Sequence, residues 1–176
     1  MKYAKSFLAV VLCLAVTVYG CTTGWISQAL ADLPVVLNIV TAILSLTDVE
    51  AVPQAQAAGA QAETDLQNLQ KFLSDYQAAK DAATQRDALT NVQAALQAAE
   101  QDLSAILAAV HIQNPAKQAA IAAAVGVALS VVVSVESLLP GSAPKAAQAV
   151  KLPSPKDLRH RFNSAVSGAY PEATLK

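Results

Sequence analysis

Side chains able to do chemistry are scarce in this chain of 176 residues, which holds two histidines, His111 and His160, and two cysteines, Cys13 and Cys21. A hydrolytic triad needs a nucleophile, a base and a group to orient the base. His111 closes a long apolar-periodic run, and His160 stands among Lys156, Arg159 and Arg161. The sequence contains no G-x-S-x-G, no glycine-rich phosphate loop and no H-E-x-x-H. Asp157-x-x-His160 has the i, i+3 spacing of a helical ligand pair, but the cations around it repel a metal ion. The carboxylates Glu63, Asp65, Asp75, Asp81, Asp87, Glu100 and Asp102 read as a solvated helix face. A carboxylate-bridged metal centre in a helical bundle would need paired Glu-x-x-His repeats, which the chain lacks. The expectation is a protein that is not an enzyme, with no catalytic residue, no metal and no cofactor.

The remaining reactive group is the Cys21 thiol, and its setting is specific. Lys2 and Lys5 precede an apolar run from Phe7 to Val16, followed by Val18-Tyr19-Gly20-Cys21. A basic end, a short apolar core and a small residue before the cut define an export signal, here residues 1–20. The Gly20-Cys21 junction resembles the lipobox of bacterial lipoproteins, with Val18 where leucine is usual and Tyr19 where alanine or serine is usual. The resemblance implies cleavage between Gly20 and Cys21, a diacylglyceryl group on the Cys21 sulfur, and attachment to the membrane of the cell envelope on its periplasmic face. Thr22, where many inner-membrane lipoproteins carry aspartate, slightly favours the outer membrane. Two other readings remain open. Val18-x-Gly20 also suits ordinary signal peptidase, which would leave Cys21 unmodified, and an uncleaved anchor would be short of the ~20 apolar residues that span a bilayer. Cys13 would leave with the signal, so the mature chain could form no internal disulfide.

Charge divides the chain. Residues 21–139 carry four basic and eleven acidic side chains, whereas residues 140–176 carry six basic and two acidic. An acidic body with a basic tail suggests either a polyanionic partner for the tail or a tail that folds back. Lys151, Lys156, Arg159 and Arg161 are the candidate contacts to an anionic surface such as lipid headgroups or the cell wall. The acidic body and the implied compartment argue against nucleic acid. A lipid-modified N-terminus, a helical body and Lys176 together also resemble the murein lipoprotein, whose terminal lysine joins peptidoglycan. The body here is longer and interrupted, and Thr174-Leu175-Lys176 matches loosely.

The elements that must position these groups are helices. Hydrophobic residues make up 54% of the chain and aromatics only 5%, so the core must be thin and built on alanine, the best helix former. Ile26, Leu30, Leu33, Leu37, Val40 and Leu44 recur at helical spacing over 25–46, widened by Ala29, Val36 and Ile43. Ser27, Asn38, Thr41 and Ser45 form a narrow polar stripe, and Asp32 before Leu33-Pro34 reads as the cap of a restarted helix, with a kink there. Trp25 lies four residues from Cys21, which suits either a headgroup-level ring or a partly buried core ring. From Pro53, in a first helical turn, a heptad-like seam of Ala62, Leu66, Leu69, Leu73, Tyr76 and Ala83 follows. Thr84 with Asp87 reads as the cap of a third helix, whose seam is Leu89, Val92, Leu96, Ala99, Leu103, Ile106 and Val110. These two amphipathic helices must pack antiparallel.

Asn114-Pro115 starts a fourth helix, within which Ala119–Val135 has no charge. Ala122, Gly126, Ser130 and Ser134 recur every four residues there as a candidate helix-packing stripe. The sum is an all-α antiparallel bundle of about four helices over 21–139. It is followed by a Pro/Ala/Lys-rich tail, 140–176, expected to be disordered apart from a short helix over 155–166. The expected function is a lipid-anchored, non-enzymatic structural or partner-binding protein of the envelope, with membrane lipid as the partner through Cys21 and an envelope protein or the cell wall as a second. The alternative is a membrane-inserting helical protein, channel-like or lytic, that uses 25–46 and 119–135.

Overall fold

The computed structural model describes residues 24–47, 53–110, 112–140 and 151–176. Five helices account for most of them: α1 (Gly24–Thr47), α2 (Pro53–Ala78), α3 (Ala82–Ala109), α4 (Pro115–Leu138) and α5 (Pro155–Val166). The described residues contain no strand. The fold is an all-α bundle, as the periodicities require.

Each of the first four helices meets its neighbours in sequence, and α4 closes the ring against α1. The link between α2 and α3 is three residues, which forces an antiparallel pair, and this is the most extensive interface in the molecule. Its core is the expected seam: Ala62, Leu66, Leu69 and Leu73 on α2 face Val92, Leu96, Ala99, Leu103 and Ile106 on α3, all buried. Tyr76 and Leu89, expected in the seam, are half-buried at its margin. Ala83 is exposed and belongs to α3, because that helix starts earlier than the Thr84 reading implies. The cap is Asp81, whose carboxylate accepts from the Ala83 and Thr84 amides at 3.0 and 2.9 Å. Thr84 donates its hydroxyl to the same carboxylate at 2.7 Å, so it supports the cap rather than being one. The starts of α4 and α5 are those expected. Asn114 accepts from the Ala116 and Lys117 amides, and Ser154 forms a reciprocal capping box with Asp157, each cap followed by proline.

α1 is one continuous helix through Pro34, without the expected restart at Leu33. Pro34 lies on the exposed face, together with Ser27, Asn38, Thr41 and Ser45, so the ring points to solvent and leaves the packed face intact. That packed face is Ile26, Ala29, Leu33, Val36, Val40 and Ile43, with Leu30, Leu37 and Leu44 half-buried on its flank. Two polar bonds set the register of α1 on α2: Thr41 donates to Glu63, and Gln77 donates to Ser27 at 3.4 Å.

The largest departure from expectation is the tail. Residues 151–176 are folded onto the body, not disordered, with α5 packed against α4 and α1. Leu158, Phe162 and Val166 are fully buried, and Leu152 and Tyr170 nearly so. Charge does not hold the tail there. The acidic side chains of the body are concentrated on α2 and α3, whereas α1 carries only Asp32 and α4 only Lys117 and Glu136. What draws α5 in is apolar area: three side chains at i, i+4 and i+8 form one stripe that covers the most apolar pair of helices. The last residues are fixed in turn by Asn163. Its amide donates to the Leu175 carbonyl at 3.0 Å, and its carbonyl accepts from the Leu175 amide at 2.8 Å.

Gly59 shows how closely α1 and α2 approach. A Cβ placed there would lie 2.8 Å or less from three atoms of the Leu44 side chain. Alanine would gain roughly 1 kcal/mol of helix propensity but meet that side chain. Gly59→Val is expected to lose about 1–3 kcal/mol of stability in urea denaturation, with part of the loss recovered when Leu44→Ala is added.

Candidate functional site

The described chain begins three residues after Cys21, so Gly20 and Cys21 lie outside the described residues. The end of the bundle where α1 starts is the described part nearest to Cys21 in sequence. The same end holds the close of α4 and the segment that leads into α5. Gln28 on α1 donates to the Pro153 carbonyl at 3.4 Å, and Trp25, Gln28, Leu138, Lys151 and Leu152 line an open cleft of about 230 Å³. Trp25 is half-buried in its wall, which it shares with Leu138, Leu152 and the exposed Lys151. An amphipathic ring beside an exposed lysine suits a water–lipid boundary.

The other basic candidates sit on the docked segment. Lys156 and Arg161 are exposed and Arg159 is half-buried. Asp157 lies among them, its carboxylate held by the Ser154 hydroxyl at 2.6 Å and the Ser154 amide at 3.2 Å. These bonds hold its pKa below the ordinary 3.8. The carboxylate is thereby used as a cap and is not offered with His160 to a metal. Among the described residues no group of three His, Cys, Asp or Glu side chains gathers in one place.

The candidate packing stripe of α4 faces outward. Ala122 and Gly126 are exposed, with open space where a Gly126 Cβ would stand, and Ser130 and Ser134 are half-buried. The small residues that let neighbours approach within the bundle are Ala120, Ala124 and Ala128, offset by two positions and buried. The outward serines bond within their own helix: Ser130 donates to the Val127 carbonyl at 2.7 Å and Ser134 to the Ser130 carbonyl at 2.6 Å. Both α1, over Gly24–Leu46, and α4 are long and apolar enough to cross a membrane, and each turns nearly half of that length into the bundle. This pair is weak evidence of membrane association, since core helices pass the same test.

Two ionisable features went unrecognised in the sequence. Asp32, expected as a cap, is completely buried on α1. Its carboxylate accepts from Gln28 Nε2 at 3.1 and 3.3 Å. Burial pushes its pKa up to about 6, against the opposing pull of the Gln28 bond. Asp102 on α3 meets Asp65 on α2, and burial followed by the Asp65 carboxyl raises its pKa to about 6 as well. Asp102 Oδ2 is buried with no donor of its own, and a bond between two carboxyls needs a proton on one of them. Asp102 is therefore not part of a uniformly solvated face, and Asp32 is not a cap.

No protein-family profile, curated protein or solved structure matches the chain.

The pH consequence has a definite sign. A carboxyl whose folded pKa is raised holds its proton more tightly when folded. Its stability is fully present below about pH 4 and is lost as the pH rises through about 6. Asp81 and Asp157, with lowered values, act oppositely and weaken the fold only as the pH falls below the ordinary carboxylate range. Asp32→Asn is expected to stabilise the protein by about 1–3 kcal/mol near pH 8 and to change little near pH 4, read from urea midpoints at the two pH values.

Proposed function

We propose that the chain is a non-enzymatic, lipid-anchored protein of the bacterial cell envelope that acts as a structural or partner-binding helical bundle. The observation that carries the reading is Val18-Tyr19-Gly20-Cys21, three residues ahead of the point where a folded bundle begins. An acylated Cys21 would hold the Trp25–Lys151 end against the membrane, with α2, α3 and their acidic faces turned toward the aqueous compartment. Two or more acyl chains give stable attachment, at ~0.8 kcal/mol per buried methylene, so no helix is needed to hold the protein at the bilayer. The non-enzymatic part of the reading rests on the sequence, whose histidines and cysteines form no catalytic pattern. Lys151, Lys156, Arg159 and Arg161 would supply secondary contacts to anionic headgroups or wall polymer, each worth ~1 kcal/mol near a charged surface.

A second reading is supported by the outward face of α4, which carries no charge from Ala119 to Val135 and whose serines bond internally. In that reading α1 and α4 enter the bilayer and the bundle opens to release them. One variant separates the two. With Cys21→Ser behind a cleavable signal, the anchored-bundle reading expects release into the soluble fraction after cell breakage. Retention in the carbonate-washed membrane supports insertion. Mass analysis of the wild-type mature N-terminus, with an acylated Cys21 expected, tests the anchor directly.

A further inference from the structure

A carboxylate at the centre of an apolar helix carries a cost, and Asp32 is the one charged residue of α1. It is fully buried and has Gln28, one turn earlier, as its hydrogen-bond donor. The same Gln28 nitrogen reaches the Pro153 carbonyl, in the stretch that leads into α5. Gln28 thus joins the buried acid to the segment that covers it. That segment behaves as one unit. Its inner face is Leu158, Phe162 and Val166, and its end is tied back by the Asn163–Leu175 pair. Its far end is pinned by Tyr170, whose ring carries Lys117 Nζ at 5.4 Å.

We propose that residues 151–176 form a cover over α1 and α4, latched through Gln28 and Asp32, that loosens as the pH rises. With Asp32 protonated, the covered site contains a neutral acid and an amide. With Asp32 ionised, the covered site holds a charge that water would solvate better, and lifting the 151–176 segment gives access to water. Among the described residues, no cation is paired with it. The charged and titratable groups on the elements packed against α1 are Glu63, Asp65, Lys71, Asp75 and Tyr76 on α2, Lys117 and Glu136 on α4, and Lys151, Lys156, Asp157, Arg159, His160, Arg161 and Tyr170 on the covering segment. Lys71 and Asp75 are paired with each other at 3.3 Å on the surface, and Asp157 is bonded to Ser154. The influences on Asp32 are burial and Gln28 alone. Opening uncovers the seat of Phe162 on the two apolar helices while the α2–α3 pair stays closed, because its own seam is independent of α5. The inference holds whether or not Cys21 is acylated.

Hydrogen exchange of the full-length protein in detergent micelles, corrected for intrinsic rates, tests it at about pH 5 and pH 8. The 155–170 region is expected to open about tenfold more at the higher pH. In Asp32→Asn that difference should vanish, while any pH dependence of α2 and α3, where Asp65 and Asp102 meet, persists. Gln28→Ala should raise opening of 155–170 at both pH values. The proposal is overturned if the Asn variant keeps the tenfold difference, if 155–170 exchanges only together with α2 and α3, or if Gln28→Ala leaves its opening unchanged.

Discussion

The fold depends on covering two helices that have almost no polar side to give to water. α1 and α4 are apolar around most of their girth, so a pairwise contact between them leaves large areas exposed. The amphipathic α2–α3 pair buries one flank, and α5 with its flanking residues buries another. Most polar groups are arranged around that need: Pro34 on an outward face, most charges on α2, α3 and α5, and alanines where backbones approach, with Asp32 the buried exception. The core is correspondingly thin, and Phe162 is its largest fully buried side chain. That residue comes from the segment that charge alone would have assigned to a solvated tail.

Local chemistry made much of this legible. Asn114-Pro115 and Ser154-Pro155 mark helix starts because each pairs an amide-accepting side chain with a residue suited to the first turn. The seams of α2 and α3 follow from leucine spacing. Lys80-Asp81-Ala82-Ala83-Thr84 was ambiguous because two good capping residues stand three apart in helix-favouring alanine, and the winner is the one whose carboxylate reaches two amides and a hydroxyl. Asp32 was misassigned for a different reason. Next to Leu33-Pro34 it has the local pattern of a cap, and its burial comes from the packing of other helices against α1, which local sequence does not carry. The Asp65–Asp102 contact likewise depends on the register of two antiparallel helices, which composition does not carry. The outward small-residue stripe of α4 shows a limit of pattern reading: Ala120, Ala124 and Ala128 have the same period, and periodicity alone does not choose between faces.

The two raised acids share a logic. Each is set among apolar packing, Asp32 fully buried on α1 with Gln28 as its donor and Asp102 beside Asp65 of α2. A buried acid that is half-protonated near pH 6 costs the fold little in mild acid and more at neutrality. The surface caps Asp81 and Asp157 act in the opposite direction and weaken the fold only as the pH falls below the ordinary carboxylate range.

The Asn163 clamp reaches beyond stability. Its two bonds to the Leu175 backbone leave Lys176 as the first side chain past a fixed point, seated on the α5 unit. A fluorophore or spin label attached at Lys176 would therefore be carried with α5, one residue from the clamped Leu175 backbone. A reporter at that position reads the docking of a helix packed across the two most apolar elements of the molecule.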